Sequence, residues 1–143
     1  MILVDANLLI YAVDSDSVHH TRVRRWIEQL LSSNASVGLA WIVVLAFIRI
    51  TTRPGLLHRQ LSVEQAIAYV DDWLAQPHVA LISAGETHWP VLRNLLLAGG
   101  TAGNLSSDAH LAALAIEHGA RIASADNDFR RFQGVTLLNP LED

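Results

Sequence analysis

The chain has 143 residues, of which 51% are hydrophobic and 17% are charged, a composition that excludes a disordered protein and favours one compact domain with a well-filled core. It contains no cysteine, and all ten basic residues are arginines, which excludes disulfides, thiolate zinc sites, lysine-dependent phosphate loops and Schiff-base chemistry. The formal net charge of -4 is opposite in sign to the basic surface that usually gives affinity for nucleic acids.

Strand signals alternate with helical periodicity along the chain. Strands are predicted at five short segments bounded by turn or cap residues, which are 2–4, 36–39, 79–82, 121–124 and 135–138. Apolar residues at helical spacing fill the gaps, with a capping box at Ser62 and Gln65 and a helix from Ser106 to His118 that stops at Gly119. Strands that alternate with helices predict an α/β sandwich in which helices flank a mainly parallel sheet.

The most apolar stretch, residues 41–48, is predicted to be a buried helix. It is far shorter than the roughly 20 residues that a membrane-spanning helix needs. The start of the chain lacks the basic region of a secretion signal, so we expect a cytoplasmic protein without a membrane segment. The tryptophans fall at apolar helical positions and are expected in the core: Trp26, Trp41, Trp73 and Trp89.

Four aspartates are predicted to meet at one edge of the sheet. Asp5 falls where the first strand should end, and Asp126 and Asp128 follow the fourth strand. In open parallel sheets, ligands gather at the carboxyl ends of the strands. Asp108 lies in the first turn of its helix, which directs its carboxylate back toward the helix N-terminus and the same edge.

Each of these acids also has a simple structural explanation when it is taken alone. The negative charge of Asp108 interacts favourably with the dipole of its helix, and Asp126 or Asp128 is placed to cap a short helix. Asp5 is harder to explain in this way, because an acid at the end of an apolar strand needs a partner to offset its lost hydration.

Taken together, the four carboxylates favour a metal site. Like charges about 4 Å apart repel by about 1 kcal/mol in water and by more near a protein surface, and a bound cation reverses that cost. Oxygen ligands in a chain without cysteine favour Mg²⁺ or Mn²⁺. A divalent ion with open positions suits phosphodiester hydrolysis, so the predicted chemistry is metal-assisted cleavage of a nucleic-acid backbone.

Three segments resemble a known family: ILVDANLLIYA at the start, GNLSSDAHLAALAIEHGARIASADNDFRRF in the second half, and GVTLLNP near the end. They are similar to PIN-domain ribonucleases, in particular to the VapC-like toxins of bacterial toxin and antitoxin pairs. The resemblance implies a PIN-like three-layer sandwich, Mg²⁺- or Mn²⁺-dependent endoribonuclease activity on RNA, inhibition by a small VapB-like antitoxin, and a homodimer. It covers almost the whole chain, so residues 1–143 are expected to form a single PIN domain.

The resemblance also implies roles for the four acids. Asp5 and Asp108 hold the metal in that family pattern. Asp126 joins them as a ligand and Asp128 assists, so that the pair after the fourth strand completes the site, often through water.

Further polar residues match positions that support such a site. Three of them correspond to family positions that commonly hold the carboxylates: Asn7, Asn104 and Ser124. Arg130 and Arg131 follow the acidic edge directly and are placed to guide an RNA phosphate into it. Arginines at the rim would supply phosphate contacts without making the whole protein basic.

One position departs from the family pattern. The family usually places a glutamate on the helix after the second strand, and this chain has Ala46 or, in another spacing, Val44 there. Neither side chain binds a cation. The alternative function is therefore a catalytically degenerate PIN-like module that binds RNA or protein and holds little or no metal.

A phosphatase or receiver domain also sets acids at strand ends. Those families use a lysine beside the phosphoryl-accepting aspartate, and the phosphatases have a second acid where Asn7 stands. The absence of lysine weighs against both classes. The histidines form no nucleophile motif with a serine and an acid, and His110 is expected to pack beside the core.

Overall fold

The computed structural model describes residues 1–99 and 103–142, without the side chain of Asn104. The helices are α1 Ala6–Val13, α2 His20–Ser32, α3 Trp41–Thr52, α4 Val63–Leu74, α5 His88–Gly99 and α6 Ser106–His118. The strands are β1 Ile2–Val4, β2 Val37–Ala40, β3 Val79–Ile82, β4 Arg121–Ala123 and β5 Leu137–Leu138. Two short 3₁₀ turns are found at Gly103–Leu105 and Asn127–Arg131.

The five strands form one sheet in the order β3-β2-β1-β4-β5, and every pairing between neighbours is parallel. The predicted fold class, a parallel sheet flanked by helices, is confirmed. The chain builds the sheet outward from β1, first toward β2 and β3 and then toward β4 and β5. The carboxyl ends of β1 and β4 are therefore adjacent at the point where the strand order reverses, which is where open α/β sheets bind ligands.

Buried strands make the sheet rigid where β1 and β4 end side by side. All three residues of β1 and all four of β2 are buried, and Leu3 has no exposed surface. Burial on both faces explains why these strands are continuous apolar runs without alternation. Helix α1 begins directly after β1, a helix that sequence periodicity did not predict because its apolar residues continue the run of the strand.

Most predicted element boundaries agree with the structure. The capping box at Ser62 and Gln65 is formed, and α6 ends at Gly119 with a left-handed φ of 61°. The last strand is shorter than predicted. The amide of Val135 donates to the carbonyl of Phe132 at 3.3 Å and closes a turn, so pairing with β4 begins only beyond it.

Two predictions of burial were wrong. Trp41 is 52% exposed and Trp89 is 64% exposed, whereas Trp26 and Trp73 pack against the core. Helix α3, predicted to be buried, also exposes Leu45. Its first eight residues are all apolar, so the pattern could not show which of them would be exposed.

Helix α6 is fixed to α5 by a chain of three polar side chains. Nδ1 of His88 and Oε1 of Glu117 are 2.5 Å apart, and Nε2 of His88 lies 2.8 Å from Nδ1 of His110. The other oxygen of Glu117 accepts hydrogen bonds from the Gly85 amide and the Thr87 hydroxyl. His110 therefore faces α5, which agrees with the expectation that it packs beside the core.

Within the described residues, none of the helices has both the length and the apolar character to cross a membrane.

We predict that Gly38→Ala lowers the free energy of unfolding by about 1–3 kcal/mol, because the protein interior has no room for another methyl group. A Cβ at this position would lie 2.4 Å from Cδ2 of Leu3 and 2.6 Å from Cγ1 of Ile82. Urea denaturation measures the difference. Gly99→Ala is the control, since a Cβ there meets none of the described residues within 4 Å, and equal effects of the two substitutions would contradict the prediction.

Candidate functional site

Asp5 stands at the junction between β1 and α1. Its extended backbone (φ -76°, ψ 155°) makes it the N-cap of α1, and its Oδ1 accepts a 2.8 Å hydrogen bond from the Ala6 amide. The backbone amide of Asp5 donates to the Ala123 carbonyl at 2.9 Å, which continues the pairing of β1 with β4. A carboxylate that caps a helix and follows a buried strand has little freedom to move.

Ser124 connects Asp5 to the segment after β4. Its buried Oγ accepts hydrogen bonds from Nδ2 of Asn7 (3.1 Å) and from the Asp126 amide (3.0 Å). Because both acceptor positions are filled, its single proton is donated to Oδ2 of Asp5 at 2.7 Å. The Asn7 amide also donates to Asp5 at 3.4 Å, and its carbonyl accepts from the Ala125 amide at 3.2 Å.

The environment of Asp5 raises the pKa of its carboxyl. Burial is the largest cause, because it penalises the charged form. Hydrogen bonds from Ser124 and Ala6 act in the opposite direction, and the negative charge of Asp126 adds to the increase. The hydrogen bonds orient the carboxylate but do not offset its desolvation.

Asp108 and Asp5 line the same cavity, which measures about 170 Å³. The cavity is lined by residues that follow β1 and by residues of α3 and α6: Asp5, Ala6, Ile42, Val43, Ala46, Ser107, Asp108 and Leu111. Asp108 occupies the first turn of α6, as predicted from the sequence. The structure therefore places the carboxylates predicted to hold a metal, Asp5 and Asp108, on the wall of one cavity.

The pKa of Asp108 is raised to about 6. Burial is the largest cause, followed by the negative charges of Asp5, Asp126 and Asp128, while the guanidinium of Arg131 lowers the value. Three like charges act on one carboxyl, so this edge of the sheet favours a positive charge.

Asp126 and Asp128 contribute charge from beside the cavity. Asp126 caps the 3₁₀ turn, and its Oδ1 accepts from the Asp128 amide at 2.8 Å, so the capping explanation describes its observed contact. Neither residue is among the described residues that line the cavity. Their carboxylates are nevertheless close enough to raise the pKa of Asp108.

The two candidate positions for the missing glutamate differ in the structure. Ala46 lines the cavity that holds Asp5 and Asp108, whereas Val44 is buried in the core, with 6% of its surface exposed. A longer acidic side chain at residue 46 would enter the cavity. The apolar wall that α3 contributes is therefore where this chain lacks the acid of the family pattern.

The two arginines after the acidic edge have different surroundings. Arg130 forms an ion pair with Glu142 at 2.6 Å, and Glu142 also accepts from Nδ2 of Asn127 at 2.9 Å. Arg131 acts on the charge of Asp108 instead. Sequence reasoning missed Glu142, because no local pattern connects an acid near the end of the chain with residues 127–130. The side chain of Asn104, predicted to support the acids, lies outside the described residues.

The carboxylates at this edge suit a divalent ion that is held by few protein ligands. Among residues 1–99 and 103–142, no three histidine, aspartate or glutamate side chains form a complete metal-ligand group. Mg²⁺ does not need one, since it keeps several waters and is commonly held by one or two carboxylates and a substrate phosphate. Asp5 and Asp108, on one cavity wall under excess negative charge, fit such a site.

The chain is similar to known proteins over nearly its whole length. The PIN domain family matches residues 2–135. The chain is 49% identical over 140 residues to Ribonuclease VapC37 of Mycobacterium tuberculosis, covering 98% of this chain and 97% of that protein. It is 39% identical over 143 residues to Ribonuclease VapC33 of the same species, covering all of both chains.

Solved structures share the fold at lower identity. A chain of the VapBC2 complex from Rickettsia felis, bound to a DNA fragment from its promoter, superimposes with a TM-score of 0.71 and 19% identity, covering 97% of this chain and 98% of that one. A chain of FitAB bound to a DNA fragment gives a TM-score of 0.71 and 23% identity, covering 100% and 99%. From the family match and the full-length relatives, the chain belongs to the PIN-domain family, in its VapC-like group.

Proposed function

We propose that this protein is a metal-dependent endoribonuclease that hydrolyses RNA phosphodiester bonds and acts as the toxin of a type II toxin–antitoxin pair. The observation that carries the proposal is the shared cavity of Asp5 and Asp108, where burial and, after it, neighbouring carboxylates raise the pKa of Asp108 to about 6. Full-length relatives that are named ribonucleases support the reaction class.

The proposed cofactor is Mg²⁺ or Mn²⁺, held by Asp5 and Asp108, with Asp126 as a further ligand and Asp128 assisting, directly or through water. When bound, the ion polarises a phosphoryl oxygen and makes a coordinated water more acidic. The acids also supply the negative charge that makes the cavity selective for a cation. Ser124 and Asn7 orient Asp5 through hydrogen bonds, so that one oxygen stays fixed when substrate enters.

Asp108 has a different task from Asp5 in this proposal. With a pKa of about 6, it is mostly ionised at neutral pH and able to bind a cation, but a proton competes with the cation below that value. Asp5 is fixed by the junction between β1 and α1, whereas Asp108 is placed by the first turn of α6. The two carboxylates thus approach the cavity from separate, rigid elements.

The proposed partners follow from the same group of proteins. A cognate VapB-like antitoxin would bind and inhibit the enzyme in the cytoplasm, and an arginine of a basic antitoxin segment is suited to the acidic edge. The fold neighbours solved as VapBC and FitAB complexes support a partner of this kind. A homodimer is also proposed, and the exposed apolar side chains of Trp89 and Leu97 on α5 offer surface for it.

We predict that Asp5→Asn and Asp108→Asn each reduce cleavage of cellular RNA by more than about 100-fold, beyond the loss typical of a residue outside the metal ligands. The assay follows RNA cleavage with Mg²⁺, Mn²⁺ or EDTA and measures Mn²⁺ binding by electron paramagnetic resonance. Asp71→Asn, at an exposed position on α4, controls for the loss of one negative charge and should cleave normally.

Cleavage that persists in EDTA, or in both cavity variants, would refute the metal mechanism. A wild-type protein that neither cleaves RNA nor binds Mn²⁺ would instead favour the degenerate binding module.

We predict that Asp108→Asn raises the melting temperature at pH 8 in EDTA although it removes activity. The folded-state pKa of about 6 exceeds the ordinary value of 3.8, so the stability contribution of this carboxyl is present below 3.8 and is lost as the pH rises through 6. Thermal unfolding at pH 4 and pH 8 measures it. The gain over wild type should shrink toward pH 4, and a uniform loss of stability would contradict the prediction.

We predict that Ala46→Glu tightens Mn²⁺ binding by about tenfold or more, because an added carboxylate in a cation site increases its charge and ligand number. Residue 46 lines the cavity, whereas Leu45, one position earlier on the same helix, is 60% exposed. Leu45→Glu is therefore the matched control and should leave binding unchanged. Equal effects of both substitutions would place the metal elsewhere.

A further inference from the structure

A second, larger cavity lies beside the acidic edge and has no role in the reaction described above. It measures about 450 Å³, within the range of small-molecule sites, and is formed by α5, the end of α6 and residues 131–133. Its lining combines buried or half-buried apolar side chains, which we call the floor (Leu95, Ile116 and Phe132), with exposed polar side chains, which we call the rim (Asn94, Arg131 and Gln133). Of these, Leu95 and Phe132 are buried in the core, so the floor is rigid.

The amide side chains at the rim are exposed and not used by the fold. Neither Asn94 nor Gln133 forms a side-chain hydrogen bond with any part of the chain that the structure describes. Each primary amide offers both donors and an acceptor. Two such groups beside an apolar floor suit a flat ligand that has an apolar face and a hydrogen-bonding edge. A nucleobase has both features.

Arg131 connects this cavity to the acidic edge. It lines the cavity, and its charge also acts on Asp108. The neighbouring cation, Arg130, is paired with Glu142. Arg131 thus offers its charge to a phosphate that lies between the aspartates and the cavity.

We propose that this cavity binds one nucleotide of the RNA substrate next to the phosphate that is cleaved, with its base on the Phe132 floor and its phosphate at Arg131. Asn94 and Gln133 contact the base edge and so determine which nucleotide is accepted there. This inference rests on the proposed ribonuclease function and adds a specificity site to it. Charge favours RNA over a basic peptide as the occupant, because a peptide cation would be repelled by Arg131.

Binding is tested first without catalysis. The ¹⁵N-labelled protein in EDTA is titrated with AMP, GMP, CMP and UMP, and the side-chain amide resonances of Asn94 and Gln133 are followed by NMR, with ribose 5-phosphate as the ligand that lacks a base. At least one nucleotide should shift both amides, and ribose 5-phosphate should not. Equal shifts with ribose 5-phosphate, or shifts with none of the nucleotides, would overturn the proposal.

Specificity is tested next, with the Asn94→Ala/Gln133→Ala double variant. Loss of contacts to a base edge should raise KM for the preferred RNA by about tenfold, leave kcat nearly unchanged, and broaden the nucleotide preference at one position beside the cut. The matched control, Gln29→Ala/Asn34→Ala, removes one exposed glutamine and one exposed asparagine outside the cavity and should cleave like wild type.

The outcomes separate the two proposals. If the Asn94→Ala/Gln133→Ala variant and its control cleave RNA with the same nucleotide preference, the ribonuclease proposal stands and the nucleotide site is refuted. If the protein does not cleave RNA but a nucleotide shifts the Asn94 and Gln133 amide resonances, the ribonuclease proposal is refuted and nucleotide binding in the cavity is supported. Amide shifts with a basic peptide and with no nucleotide would assign the cavity to a protein partner and overturn the inference.

Discussion

The hydroxyl of Ser124 is the contact that holds the acidic edge together. It accepts from Asn7 and from the Asp126 amide, so its one proton is committed to Asp5. This arrangement of donors and acceptors is possible only because β1 and β4 are neighbours. Their pairing brings Ser124 and Asp5, which are 119 positions apart in the chain, to a hydrogen-bond distance of 2.7 Å. Without the hydroxyl, the buried carboxylate of Asp5 would lose a donor while Asn7 and Asp126 lost an acceptor, and unsatisfied buried groups are costly.

The same edge carries an electrostatic cost that the hydrogen bonds do not remove. Burial raises the pKa of both Asp5 and Asp108, and the remaining acids act in the same direction on Asp108. A fold selected for stability alone would disperse or neutralise these charges. The proposed cation would account for their position at one edge of the sheet, because it would offset the repulsion among them.

Local sequence signals located the acids but not the surfaces around them. The positions of Asp5 and Asp108 were predictable because a short stretch of sequence is enough to recognise the end of an apolar strand or the first turn of a helix. The position of Ala46 on the cavity wall and the exposure of Trp41 were not, because the first eight residues of α3 are all apolar. The pairing of Arg130 with Glu142 depends on how the last residues return to the 3₁₀ turn, which no local pattern encodes.

The surroundings of the cavity that Asp5 and Asp108 line are asymmetric, and this asymmetry affects how a polyanion would approach it. Helix α3 contributes Ile42, Val43 and Ala46 to its lining, and their side chains offer a phosphate neither charge nor hydrogen bonds. Arg131 is not among the described residues that line this cavity, but its guanidinium acts on the charge of Asp108. In the proposed enzyme, the metal would be held from β1 and α6, and an RNA phosphate would gain a charge-assisted contact from Arg131 but none from the apolar side chains of α3. The missing acid of α3 and the cavity beside α5 that Arg131 also lines are thus parts of one proposed arrangement.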